Sequence, residues 1–567
     1  MTKYPGTSAQ PFFSSAALPA VLVYVLLLGY LYSFSRYGFN IWDEGAFAYG
    51  CLRTYLGQIS IKDFYGYPPG QYLYGALFYK LFGVDVQSLR IGIIVLTPAM
   101  VLMVYGTARK LMSDRFAALA ALFMLSAPSM YYSRYYTFFC VSSLFCLVEL
   151  LEKRRALQLF MLIGSIMLSF YFKVEVALFS AAIGGVALAL LFVRERTGGK
   201  PAQGKPSGPD SWAYSLAARP SSRILLFLAS AGIALSLVYF VKNDILERFI
   251  DIVFGIHQVW GNPFPQIFPL VQLFETLGPR EMFERLLFYV PVLVYVLTGV
   301  LLLVRFLGKT RKTGKTDLYL LATLLFGVCA FGLVIWRAGF DNLLRTLPPF
   351  YVLLMYLLSL AYEKLLGRPD GAKKKPAVFW PKKLAVEAVI LVLPLIFFYE
   401  MNVKHGFYAG TVGAVNIETA RLTMDRIDVY TNPSEAKWIR RVVELIKTHT
   451  RPGDPVLALP LNAGFNFLSD RPNPIFYDWI LPGMLDEKEE NKLVEQLKGD
   501  LPKIIVYVDI AIDGKDERRL INYVPKLIGF IAERYRLLET VGFFNVLVPI
   551  ETAPRNDGRE GPLIGKF

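Results

Sequence analysis

The stretch Arg36–Arg90 decides how the chain is read. It runs RYGFNIWDEGAFAYG at 36–50 and KDFYGYPPGQYLYGALFYKLFG at 62–83, directly after the first long apolar run at Ala16–Tyr32. Asp43 and Glu44 stand side by side just past that run. Charge so close to a bilayer is costly unless it is solvated or used, so the pair is a candidate site. The plainer alternative is a marker of the membrane–water boundary.

Composition bounds the rest. The 567 residues are 54% hydrophobic, 15% aromatic and only 19% charged, too apolar for a soluble multidomain chain, so an integral membrane protein is expected. The net charge is +15. Its basic residues lie mostly in short links between apolar runs rather than on one folded face, which argues against a nucleic-acid partner. Cys51, Cys140, Cys146 and Cys329 show no CxxC spacing, so neither a zinc site nor a disulfide framework is expected. Met1–Pro11 lacks the positive start and cleavage site of a removable signal peptide, and Ala16–Tyr32 reads as a first anchor.

A spanning helix needs roughly 20 mostly apolar residues. Eleven stretches qualify once flanking residues are allowed: Ala16–Tyr32, Ile91–Gly106, Phe116–Tyr132, Phe138–Leu151, Ala156–Phe172, Val174–Val193, Ile224–Val241, Leu286–Val304, Leu318–Trp336, Leu347–Tyr362 and Leu384–Tyr399. Gln71–Gly83 is too short and reads as an interfacial helix with Leu73, Leu77 and Leu81 on one face. Five links are basic and in phase, around Arg109–Arg115, Lys153–Arg155, Arg194–Arg223, Arg305–Lys315 and Lys364–Lys383. The positive-inside bias makes them cytoplasmic. The amino terminus is then cytoplasmic, and Arg36–Arg90, Asn243–Arg285, Arg337–Arg345 and everything after Tyr399 lie outside.

After Asn402 the pattern changes. Asn432-Pro-Ser-Glu435 is a helix start, and Trp438, Val442, Leu445 and Ile446 form its apolar stripe. Short β-type runs at Pro455–Pro460 and Lys503–Ile510, a helical run near Glu517–Tyr535 and a last run at Phe543–Pro549 follow. The expected fold class is therefore a polytopic α-helical membrane protein, residues 1–401, carrying an extracytoplasmic α/β domain, residues 402–567.

An enzyme on the outer face has no cytoplasmic nucleotide to draw on, so a lipid-linked phosphate is the obvious activated donor. Its site needs a carboxylate to accept a proton and cations to hold the phosphate. Asp43 or Glu44 offers the first. Arg134, Lys173, Arg337 and Arg345 offer the second, as isolated cations at outer helix ends where the charge bias removes them. The plain alternative has each one snorkelling to a lipid headgroup. His257, His405 and His449 are too far apart for a metal pair or a Ser-His-Asp set. His257 and Trp260, in a proline-rich loop, either line an acceptor entrance or simply structure that loop.

These residues also carry a family resemblance. The order WDEGAFAYG, KDFYGYPPGQYLYGALFYKLFG, SLRIG, SAPSMYYSR and FYFKVEV resembles the polytopic C-type (GT-C) glycosyltransferases of the protein mannosyltransferase and aminoarabinose transferase group. Arg337–Pro349 and the tail segment FLSDRPNPIFYDWILPGML at 467–485 are similar to later parts of the same proteins. The resemblance implies that Asp43 is the catalytic acid of the first outer loop, with Glu44 its neighbour. It further implies that Asp63, with Tyr67 close by, belongs to the site, that Lys173 and Arg337 lie near the donor phosphate, and that transfer inverts the anomeric carbon. Many relatives carry a second acid just after the position of Arg134, and here the run is Tyr135-Tyr-Thr-Phe-Phe139. If a divalent metal ion is used, one ligand is missing.

The reading is a membrane glycosyltransferase. It moves sugar from a polyprenyl-phosphate donor to a glycan, lipid or protein acceptor at the outer face of the cytoplasmic membrane, with membrane lipid around it. The rivals are a transporter or flippase of lipid-linked sugar, although the two halves show no internal repeat, and an inactive partner that only binds such a lipid.

Overall fold

A computed structural model describes residues 17–124, 134–197, 220–250, 278–308, 314–336, 338–366, 380–401, 419–511 and 515–550. Helices form where the apolar runs lie: α1 Ala17–Ser33, α2 Asp43–Tyr55, α3 Pro69–Phe82, α4 Val86–Ala108, α5 Asp114–Phe123, α6 Arg134–Lys153, α7 Ala156–Phe172 and α8 Val174–Thr197. They continue as α9 Pro220–Lys242, α10 Pro279–Leu287, α11 Tyr289–Leu307, α12 Lys315–Trp336, α13 Phe340–Leu366 and α14 Trp380–Tyr399. Among the described residues, six helices are long and apolar enough to cross a bilayer: α4, α6, α9, α11, α12 and α13. Shorter apolar segments in α1, α7 and α8 accompany them. Two expected spans differ in detail. Phe116–Tyr132 is helical at its start, and its second half lies outside the described residues. Leu286–Val304 is broken at Phe288, with Pro291 in the first turn of α11.

Large apolar side chains point outward, as a lipid solvent requires: Phe227 is 71% exposed and Leu307 79%. The bundle is built around α6, in which all but four of 20 residues are buried. Small side chains let α7 approach it: Ser165 shares hydrogen bonds with Ser142 at 2.8 Å and Ser143 at 3.0 Å.

The two ends of the bundle differ in charge. At one end Lys110 and Lys153 both meet Glu149, Lys315 meets Glu152, and Arg305 meets Asp317 at 3.0 Å. Three of the basic links thus converge at a single end. At the other end α2 and α3 lie across the bundle. Gln71 donates from Nε2 to the carbonyl of Phe172 at 2.8 Å, which ties the start of α3 to the last turn of α7. Leu73, Leu77 and Leu81 form the exposed face of α3 while Tyr72, Gly75 and Tyr79 are buried, as expected of a helix lying in a membrane interface.

The C-terminal segment contains a hairpin, β1 Ala420–Met424 and β2 Ile427–Thr431, then α15 Pro433–His449. Asn432 caps α15 by accepting from the Ser434 N–H at 2.9 Å, and Val442, Leu445 and Ile446 are buried, as the sequence predicts. Next come β3 Val456–Leu459, α16 Gly464–Ser469, α17 Glu487–Gly499, β4 Ile504–Tyr507, α18 Pro525–Arg534, β5 Tyr535–Val541 and β6 Phe544–Pro549. The sheet order is β3-β4-β6-β5, with β3 and β4 parallel and the remaining pairs antiparallel. The sequence reading misses the β1–β2 hairpin, α17 and β5. The expected helical run ends at Arg534, and from Tyr535 the chain pairs antiparallel with β6.

This segment is continuous with the first loop. Gly38 N–H donates to Tyr430 O at 2.9 Å, and Tyr430 N–H to Arg36 O at 2.7 Å. Tyr65 N–H donates to Phe476 O at 2.8 Å, and Asn473 N–H to the Tyr49 hydroxyl at 2.7 Å. The backbones of α2 and α16 nearly touch: a Cβ on Gly45 would lie 2.7 Å from the Cα of Gly464. Replacing Gly464 with valine should therefore wedge the two segments apart, costing about 1–3 kcal/mol and exposing the first loop to protease. An unchanged melting temperature and digestion pattern would contradict this docking.

Candidate active site

Asp43 and Glu44 open α2 in different environments. Glu44 is buried and pairs through both oxygens with Arg90, Nε to Oε1 and Nη2 to Oε2 each at 2.7 Å. The same guanidinium donates to Ser35 O at 2.6 Å and Gly38 O at 2.5 Å. Glu44 is therefore spent as a counter-ion that fixes the chain entering α2, and its oxygens are not turned to an open site, as a catalytic role would require. Asp43 is exposed. Its N–H donates to Asn40 Oδ1 at 2.9 Å, and the Asn40 amide nitrogen lies 3.5 Å from Asp43 Oδ2. Its place in the first turn of a helix favours a negative charge.

Helical spacing puts Asp43 one turn before Phe47 on the same face. Phe47 packs on Tyr135 at 6.3 Å, and Tyr135 on Phe172 at 5.1 Å. With Asp43 exposed at its head, α2 therefore lays its Phe47 face against the start of α6 and the end of α7. There Lys173 separates α7 from α8, and its Nζ lies 4.8 Å from the centre of the Tyr67 ring, a cation–π contact. The first loop and Lys173, far apart in sequence, meet here.

Arg345, in the second turn of α13, lies within electrostatic reach of Lys173. Its backbone carbonyl accepts from Thr137 Oγ1 at 3.1 Å, while its Nε is buried with no hydrogen-bond partner among the described residues. Arg134 is fully buried, with Nη1 donating to Thr97 Oγ1. Protein burial on all sides is incompatible with snorkelling to a headgroup. Asp63 is exposed and closes its own turn, accepting from Ile59 N–H at 2.6 Å. Arg337, His257, Trp260 and His405 lie outside the described residues.

Two further carboxylates enter that the sequence reading did not single out. Glu175, at the start of α8, is within electrostatic reach of Lys173; its place two residues after that lysine is a signal that could have been read. Asp478 is fully buried and pairs with Arg53 at 2.6 Å. Burial pushes its carboxyl above the usual range, and Arg53 and Asn473 pull it back. Arg53 also donates to Gln58 Oε1 at 2.6 Å and Asp63 O at 2.9 Å, so one guanidinium holds α2, the loop after it and the C-terminal segment together. Among the described residues, no three His, Cys, Asp or Glu side chains come together in a way that could hold a metal ion.

Comparison with known proteins agrees with this architecture. The family described as dolichyl-phosphate-mannose-protein mannosyltransferase matches residues 67–201. Comparison with curated protein sequences gives no match. Among solved structures, the chain is similar to ArnT from Cupriavidus metallidurans bound to undecaprenyl phosphate, with a TM-score of 0.50 and 12% identity over 95% of this chain and 99% of that one. It is also similar to the Archaeoglobus fulgidus oligosaccharyltransferase tethered to an acceptor peptide, with a TM-score of 0.50 and 12% identity over 91% of this chain and 72% of that one. At that identity the likeness is one of fold: a polytopic membrane architecture of the GT-C kind with a sheet-containing C-terminal part.

Proposed function

We propose that this chain is a membrane glycosyltransferase that transfers a sugar from a polyprenyl-phosphate donor to an acceptor hydroxyl. The observation that carries the reading is the convergence of Lys173 and Arg345 beside the first loop that bears Asp43. Lys173 and Arg345 share the neighbourhood of one carboxylate, Glu175, and two cations facing a single anion in a partly desolvated place are stabilised by a further anion between them. A phosphate suits both, Arg by its fork and Lys as a point charge. The solved relative crystallised with undecaprenyl phosphate supports a lipid-borne phosphate as that anion.

In this reading Asp43 accepts the proton of the acceptor hydroxyl as its oxygen attacks the anomeric carbon. The bond from that carbon to the phosphate oxygen breaks, and the electron pair leaves with the polyprenyl phosphate. Lys173 and Arg345 stabilise the growing phosphate charge, with Arg337 as a further candidate. Glu44 and Arg134 act through position, the first by fixing the start of α2 and the second by bracing the start of α6 against α4. The lysine-rich end of the bundle faces the cytoplasm, and the Asp43 end faces outward from the cytoplasmic membrane.

Asp43→Asn should leave the protein folded and inserted while lowering release of polyprenyl phosphate from a lipid-linked sugar by about 10²-fold or more, the usual worth of a positioned base. Full activity in that variant would reject the assignment. Lys173→Met and Arg345→Met should each slow release by about 10²–10³-fold and weaken retention of polyprenyl phosphate itself, read by binding to the protein in nanodiscs. Unaltered binding and rate in both would remove the phosphate site.

A further inference from the structure

Where the first loop meets the C-terminal segment there is a cleft of about 140 Å³ that the proposed chemistry does not use. It is lined by Phe39, Asn40 and Trp42 on one side and by Glu435, Trp438 and Phe543 on the other. The rings form its walls: Phe543 lies 5.8 Å from Trp42 and 5.0 Å from Trp438. The walls are set in advance. Gly542, at φ 64° in the turn between β5 and β6, lies so close under Trp438 that a Cβ there would be 2.5 Å from the indole.

Three of the lining residues carry polar groups. Glu435 is exposed, and its Oε2 accepts from Thr431 Oγ1 at 3.0 Å. The indole N–H of Trp42 is buried without an acceptor among the described residues, a costly state for a donor. Asn40 reaches from the cleft to Asp43, capping its N–H at 2.9 Å. The cleft therefore ends beside the group assigned to take the acceptor proton.

We infer that this cleft holds one sugar ring of the acceptor, presenting its hydroxyl toward Asp43. The inference rests on the glycosyl-transfer reading. Aromatic walls offer flat apolar faces for the C–H side of a pyranose, while the exposed Glu435 carboxylate and the Asn40 amide match its hydroxyls. An isoprenoid chain would desolvate Glu435 and Asn40 with nothing in return. The volume is below the roughly 300–1,000 Å³ of sites for larger molecules, which limits the occupant to a single ring.

The test uses saturation-transfer NMR on the full-length protein in nanodiscs, with methyl glycosides of common hexoses and an aminohexose as probes and an aromatic tripeptide as competitor. Saturation should reach the ring C–H protons of at least one glycoside. Glu435→Gln and Phe543→Leu, with melting temperatures checked, should each weaken that binding about tenfold, the first by weakening a hydrogen bond to a charged group and the second by removing a flat aromatic face. No transfer to any glycoside, transfer unchanged in both variants, or displacement by the tripeptide in preference to glycosides overturns the inference. Release of polyprenyl phosphate is scored on the same samples. Release without glycoside binding sinks the cleft alone, whereas glycoside binding in a protein that never releases polyprenyl phosphate sinks the transfer reading and the acceptor role with it, leaving only a sugar-binding cleft.

Discussion

The guanidinium of Arg90 is the point on which the first loop depends. It sits fully buried at the start of α4 and joins the carbonyls that follow α1 to Glu44 at the head of α2. A buried charge is tolerated only when its partners are held in place, so the pair dictates one path for the chain between α1 and α2. Asp43, the residue before Glu44, inherits that path. Its carboxylate is left exposed at a helix start because its neighbour has absorbed the structural charge.

The same economy runs through the rest of this end of the molecule. Arg53 and Asp478 fix the far end of α2 to the C-terminal segment, and Gly45 and Gly464 allow the two backbones to meet. The C-terminal segment thus forms a wall of the candidate site. Lys173 and Arg345 differ in kind: two cations come within electrostatic reach of each other with Glu175 beside Lys173, and Arg345 Nε stays buried and unmatched among the described residues. Under the proposed function this local excess of positive charge is what the donor phosphate joins.

Much of this was legible in the chain. Apolar runs located the helices because lipid leaves the backbone no alternative partner, and three of the five basic links expected to share one end are brought together there by ion pairs with Glu149, Glu152 and Asp317. The cations Lys173 and Arg345 stood out because they lie at helix ends expected to face outward, where the positive-inside bias removes such residues. The division of labour between Asp43 and Glu44 was not legible, since adjacent carboxylates look alike until Arg90, 46 residues away, claims one of them. Nor was the β1–β2 hairpin, whose strands are only five residues each, or the cleft, whose walls come from segments hundreds of residues apart. Asp63 illustrates the opposite case: its place in the family pattern suggests the site, while its side chain closes a local turn.

The account stands on a single geometric claim, that the lipid-borne phosphate binds between Lys173 and Arg345 within reach of Asp43. A cryo-EM map of the protein in nanodiscs loaded with polyprenyl phosphate tests it most directly. The phosphate should appear about 3 Å from both cationic groups, with its open side toward the start of α2. Phosphate density at the lysine-rich end of the bundle, or on the lipid-facing surface away from α2, would contradict it.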